Sequence, residues 1–184
     1  QEWYHLIWER FADAAFIYAL DRDARLGQWL HDRTLEVCRK PLDEWVGPWF
    51  RRHADPPVGM LESAHITNAV CEVIGLSPEL FNEAEIEEII TELRDKGLLL
   101  CERYINGRIG NNWYCVLLSG YTTASVMLGL HDNVERAVGL YNDCPGLYDS
   151  DGYGETLQYG NYASLTLIQA RNLLLTYDPS LSER

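Results

Sequence analysis

Residues 116–130 read V-L-L-S-G-Y-T-T-A-S-V-M-L-G-L, a run without a charged side chain or a proline. Its residues are apolar or small on every face, and a helix of that kind belongs at the centre of an assembly rather than on its surface. The spacing predicts a helix from about Asn112 to Leu130, with the other elements arranged around it. On its N-terminal side lies a turn-rich connection, R-Y-I-N-G-R-I-G, over residues 103–110. On its C-terminal side, Asp132 is placed to cap a shorter helix ending near Asn142.

Further out, the same periodicity predicts helices from Tyr4 to Leu20 and from Asp21, as a cap, to about Arg39, where Pro41 stops the second. Residues 42–58 are rich in Trp, Pro and Gly and read as an ordered loop with one short helical turn, carrying Trp45, Trp49, Arg51, Arg52 and His53. A helix follows from Leu61 to Gly75, ended by its glycine. Ser77-Pro78-Glu79 has the form of a helix start, with a cap and then proline in the first turn, and the acidic run after it extends that helix to about Leu100. The loop C-P-G-L-Y-D-S-D-G-Y-G at 144–154 precedes a last helix from about Leu157 to Tyr177. The expectation is an all-α fold of about seven helices in antiparallel hairpins, with residues 1–184 as a single domain and no strand. A bundle, a solenoid or a closed toroid would fit, and the lack of a fixed-period repeat weighs against the standard solenoids.

Composition narrows the function. The chain has 184 residues and a formal net charge of −13. A nucleic-acid partner is not expected, because duplex binders present a basic face. No apolar run approaches the roughly 20 residues of a membrane helix, so no membrane partner is expected. The start, Gln1-Glu2-Trp3-Tyr4, has neither Met nor a signal-peptide pattern, which suggests a processed chain, a trimmed one or a piece of a longer protein. The five cysteines are odd in number and lack C-x-x-C spacing, so neither a zinc framework nor a disulfide scaffold is expected. Cys71 and Cys115 sit in apolar runs and read as small buried hydrophobes. No metal or other cofactor is expected.

Two polar clusters bracket the central hairpin: Asn111-Asn112-Trp113 before the apolar helix, and D-G-Y-G-E-T-L-Q-Y-G-N-Y at 151–162. A tight turn between antiparallel helices would return the second cluster to the end where the first begins. In this order the motifs resemble the heparinase II/III-like and oligoalginate-lyase polysaccharide lyases. That family carries Asn-Asn-His or Asn-Trp at the start of an apolar helix and D-G-x-x-x-E-G-x-x-Y one hairpin later. Asp151, Gly152, Glu155 and Tyr159 match the second motif, while Thr156 replaces its glycine and Trp113 stands where alginate-type members have His. The resemblance implies an incomplete (α/α) toroid, here without the family's β-sandwich domain, and a periplasmic or secreted location. It implies β-elimination at a uronic acid of an acidic polysaccharide or oligosaccharide.

Carried over by position, Asn112 would hold the uronate carboxylate and Tyr159 would be the acid/base. Asn111 and Trp113 would be the neighbours of Asn112 at the substrate, Trp113 offering an apolar platform to a sugar ring. From the residues themselves, Arg108 just before that cluster, His65 on the helix that begins at Leu61, and Tyr162 are further substrate-binding candidates. The chemistry suits the residue types. Removing a proton alpha to a carboxylate builds enolate charge, which preorganised hydrogen-bond donors must stabilise. A protonated Tyr can deliver a proton to an alkoxide-like leaving group, whereas acting as a base requires its pKa near 10 to be lowered. The family's further His, generally supplied by its β domain, has no counterpart among these residues. Trp113 in place of His tilts the expectation toward an Asn-Tyr arrangement.

Three other readings come from the residues alone. Trp45, Trp49, Trp113 and Tyr162 could stack on glycans in a non-catalytic carbohydrate-binding domain, or the helices could form a protein-interaction domain. A glycoside hydrolase would need two flanking carboxylates, and Glu155 with Glu62 or Asp151 is the pair available. The D-S-D-G-Y-G-E loop is too short for an EF-hand and lacks its terminal Glu.

Overall fold

The computed structural model describes residues 2–47, 55–107, 112–144, 148–149, 152–153 and 157–183. The elements, in order, are α1 (Glu2–Asp21), α2 (Ala24–Cys38), α3 (Leu42–Val46), α4 (Leu61–Leu76), α5 (Glu83–Glu92), α6 (Leu99–Gly107), α7 (Asn112–Met127), α8 (His131–Asp143) and α9 (Leu157–Tyr177). The fold is all-α. The single departure among the described residues is a two-residue antiparallel ladder, β1 (Tyr148–Asp149) with β2 (Gly152–Tyr153), pairing Tyr148 with Tyr153.

Several boundaries differ from the sequence expectation, each for a local reason. Asp21 ends α1 instead of capping α2. Arg22 turns the chain at φ 55°, and Asp23 is the cap, its Oδ1 accepting from the backbone N–H of Arg25 and of Leu26 at 3.0 and 2.8 Å. Ser77-Pro78 opens only a short 3₁₀ turn, Pro78–Leu80. The helix proper starts after Asn82, which forms a reciprocal capping box with Glu85: Glu85 N–H donates to Asn82 Oδ1 at 3.0 Å and Asn82 N–H to Glu85 Oε2 at 2.9 Å. Helical structure then persists beyond Leu100 to Gly107, because a π-helical segment at Leu93–Leu98 joins α5 to α6 without a break. Helix α7 closes earlier than Leu130, at Met127, with Gly129 at φ 65° turning the chain out. Asp132 lies in the first turn of α8 and makes no side-chain cap.

Lys96, within the π segment, ties this helix to the end of α2. Its ammonium donates to the carbonyls of Cys38 and Lys40 at 2.7 and 2.5 Å and pairs with Glu92 at 2.6 Å. A cation on terminal carbonyls satisfies acceptors that a helix end leaves open. Trp45 packs beneath it, fully buried, with its indole N–H on the Val37 carbonyl. Burial removes Trp45 from any role as an exposed sugar-stacking platform. Trp49, Arg51, Arg52 and His53 lie outside the described residues.

Four helices lie side by side in the order α1, α4, α7, α9, and nearly all of α7 is buried. Between α1 and α4 the chain returns through α2 and α3, between α4 and α7 through α5 and α6, and between α7 and α8 by a short turn. Gly120 lets α4 and α7 meet backbone to backbone: a Cβ there would lie 2.9 Å from Ala64 Cα, Ala64 Cβ and Cys101 Sγ. The paired positions Asn68 with Ser119 and Gly75 with Met127 advance together, so α4 and α7 run parallel. All five cysteines are buried thiols outside any disulfide, and Cys71 and Cys115 are the core hydrophobes that their apolar surroundings suggested.

Candidate functional site

A groove of about 690 Å³ runs along the row of helices. Helix α4 supplies His65, Asn68, Glu72, Gly75 and Leu76 to it, one stripe at helical spacing. From α7 come Ser119, Thr123 and Met127, and from α9 Tyr162, Thr166, Gln169 and Asn172. Polar side chains from three helices thus converge on one groove, interleaved with apolar ones such as Leu76 and Met127.

Across the groove, the side chains of His65 and Tyr162, 97 residues apart in sequence, make a polar contact. His65 Nε2 lies 2.8 Å from Tyr162 Oη. The two rings are tilted, with centroids 6.3 Å apart. Burial, and secondarily the charge of Glu62, pushes the Tyr162 hydroxyl pKa up, so this phenol stays protonated at neutral pH. Beside the pair, Asn68 donates from Nδ2 to Ser119 Oγ at 3.1 Å. Its Oδ1 is buried and has no hydrogen-bond partner among the described residues. A buried acceptor left open in this way is satisfied once a donor enters the groove.

Of the residues singled out from sequence, the structure brings His65 and Tyr162 together and places Asn112 and Tyr159 in different environments. Asn112 opens α7 and is 3% exposed, whereas Tyr159 is 51% exposed on α9. Neither lines the groove. Tyr159 precedes Tyr162 by three residues, which sets it roughly 60° round the helix axis. Trp113 is half-buried against the core around α7, 6.5 Å from the Tyr104 ring, and is also outside the groove. Asn111, Arg108, Asp151 and Glu155 lie outside the described residues.

Asn68, Glu72, Thr166, Gln169 and Asn172 line the groove without having been recognised in the sequence. Their signal is a polar stripe at i, i+3, i+7 on a helix that is otherwise apolar: His65, Asn68 and Glu72 on α4. No group of His, Cys, Asp and Glu able to hold a metal occurs among the described residues. No described helix is long and apolar enough to cross a membrane.

No protein family, curated protein or solved structure matches the chain. The lyase resemblance therefore rests on the two sequence motifs alone.

Proposed function

We propose that this chain is the helical part of a polysaccharide lyase that cleaves uronic-acid-containing glycans by β-elimination, and that the reaction takes place at the His65–Tyr162 pair. The observation that carries the reading is the 2.8 Å contact between His65 Nε2 and Tyr162 Oη in the wall of a groove. A pair of neighbouring parallel helices, α4 and α7, joined through the returning α5 and α6 is also how an incomplete (α/α) toroid would begin.

In this reading His65 takes the proton from C5 of the uronate, and the electrons of that C–H bond form the C4–C5 double bond as the C4–O bond breaks. Tyr162, held protonated by its burial, gives its proton to the departing oxygen. Enolate charge on the carboxylate needs donors, which the amides of Gln169 and Asn172 can supply within the groove; Asn112, buried at the start of α7, lies outside it. The motif-matched Tyr159 gives way to Tyr162 because Tyr162 lines the groove and Tyr159, half exposed on α9, does not.

The test follows the absorbance of the 4,5-unsaturated product while alginate, heparan sulfate and other uronans are incubated with the protein and with Tyr162→Phe and Tyr159→Phe. Turnover that Tyr162→Phe abolishes and Tyr159→Phe spares is the expected result. Turnover lost with Tyr159→Phe alone would return the role to the motif position. One observation favours a second reading, a non-catalytic carbohydrate-binding groove: the described lining contains Glu72 but no Lys or Arg. That reading predicts binding without product.

A further inference from the structure

Two of the buried cysteines meet across the α7–α8 hairpin. The chain turns at Leu128–Leu130, and the Arg136 guanidinium of α8 lies over the Tyr121 ring of α7 at 5.5 Å. Cys115 stands six residues before Tyr121, and Cys144 eight residues after Arg136. At the helical rise that is about 9 and 12 Å further from the turn, so the two positions lie opposite each other. Their thiols are hydrogen-bonded to each other within the core around α7. Cys144 Sγ also donates to the Leu140 carbonyl at 3.4 Å, which leaves Cys115 as the donor between the two sulfurs.

We propose that Cys115 and Cys144 are a redox pair that closes to an intramolecular disulfide and pins the first turn of α7 to the end of α8. The oxidant is hydrogen peroxide, small enough to reach a Cys144 sulfur whose residue is 3% exposed. The Cys144 thiolate attacks one peroxide oxygen, the O–O bond breaks, and hydroxide leaves with the electron pair, giving a sulfenic acid. That hydroxide takes up the proton Cys144 has lost and becomes water. The Cys115 sulfur then attacks the Cys144 sulfur and gives its proton to the departing hydroxyl, so the S–S bond forms and a second water leaves. Two thiols have lost two electrons to one peroxide.

The other cysteines supply the contrast. Burial pushes the Cys38 and Cys101 thiols up to about 12 and Cys71 higher still, and the Cys101 side chain is hydrogen-bonded to Thr67 instead of to a second thiol. At Cys144 the hydrogen bond from Cys115 outweighs burial and the nearby Asp143 charge and holds the thiol below its usual range. The thiolate is the attacking form, so oxidation starts at Cys144 and Cys115 resolves it. The bond closes a loop of about thirty residues, and it forms whatever the groove binds.

The test treats the folded protein with hydrogen peroxide, quenches with catalase, alkylates under denaturing conditions and maps the cysteines by mass spectrometry. Thermal melts are taken before oxidation, after it, and after dithiothreitol. A peptide cross-linked through Cys115 and Cys144 of one chain is expected, with Cys38, Cys71 and Cys101 alkylated. Tm should rise by about 5–10 °C and return with the reductant. In Cys115→Ser, its melt checked against the reduced parent, Cys144 should stop at sulfenic acid, trapped by dimedone, or go on to sulfinic acid. Recovery of Cys115 and Cys144 as alkylated thiols, parent Cys144 oxidised while Cys115 stays a thiol, or a cross-link through other cysteines overturns the proposal. A mapped bond that leaves Tm unchanged or lowers it overturns the pinning. Should Cys115→Ser not fold, the peptide map of the parent decides by itself.

Discussion

Gly120 to alanine is the substitution whose outcome the packing fixes most tightly. A Cβ built at Gly120 lies 2.9 Å from Ala64 Cα, Ala64 Cβ and Cys101 Sγ. Two of these atoms belong to the backbone or the first side-chain atom of α4, so no flexible tip can yield. Reaching ordinary carbon contact at about 3.5–4.0 Å requires α4 and α7 to separate by several tenths of an ångström or more, and a gap of about 0.5–1 Å forfeits a quarter to a half of each dispersion contact along the seam. Overpacking of this kind costs about 1–3 kcal/mol, against a gain of about 1 kcal/mol from replacing a helical glycine by alanine. With three atoms met at 2.9 Å the cost falls in the upper part of that range, about 2–3 kcal/mol, so the net expectation is a loss of about 1–2 kcal/mol, which for a domain of this length lowers Tm by about 2–8 °C.

Gly139 provides the opposite case. It is exposed on α8, and a Cβ there meets nothing within 4 Å. Only the helix-propensity term then operates, and Gly139→Ala should stabilise by about 1 kcal/mol. Paired urea unfolding curves for the two variants give both signs from one assay. A Gly120→Ala protein as stable as the parent with an unchanged m-value, or a Gly139→Ala protein that is the less stable of the two, would refute the α4–α7 packing argument. Because the seam also sets the Asn68–Ser119 contact, Gly120→Ala should weaken sugar binding in the groove as well.

Three other outcomes can be checked with simple variants. Lys96→Ala leaves the Cys38 and Lys40 carbonyls and the Glu92 carboxylate without their cation, and chemical denaturation should register a loss of about 2–4 kcal/mol. His31 sits between Asp32 and Glu85 at 3.0 and 3.1 Å, and the Asp32 hydrogen bond, ahead of the opposing effect of burial, raises its pKa. A raised folded-state pKa adds stability that is complete below the unfolded value near 6.5 and is lost as pH climbs through the folded value. The Tm gap between the parent and His31→Gln should accordingly be widest below about pH 6 and narrow at higher pH. Burial also pushes the Cys38 and Cys101 thiols up to about 12, so a thiol reagent should label these two slowly in the folded protein and readily once it is denatured, whereas Cys144, whose pKa is lowered by its hydrogen bond with Cys115, should react ahead of them.

Helix content was readable in the sequence wherever apolar periodicity was strong. α9 has the limits that its pattern predicts, Leu157 and Tyr177, and the charge-free run at 116–130 lies in the buried helix α7 and the turn after it. Start signals were less dependable because two competed within a few residues. Ser77-Pro78 has the composition of a cap, but the Asn82–Glu85 box satisfies both of its own donors and takes the helix start. The extension to Gly107 depends on a π segment, which no propensity pattern announces.

The site was harder to read for a geometric reason. Tyr159 and Tyr162 differ by only about 60° of helical phase, and which of them enters the groove is decided by how α9 rolls against α7. His65 was visible as a lone histidine, but its partner lies 97 residues away, beyond the reach of any local motif.

The most direct test of the central claim is an NMR titration of the protein with a uronate-containing oligosaccharide, observing the histidine ring and tyrosine signals. The groove account predicts saturable shifts at His65 and Tyr162, followed by the side-chain amides of Asn68 and Gln169, with His31 and His131 unmoved. Saturable shifts confined to residues outside the groove, with the His65 ring signals unchanged at full occupancy, would contradict it.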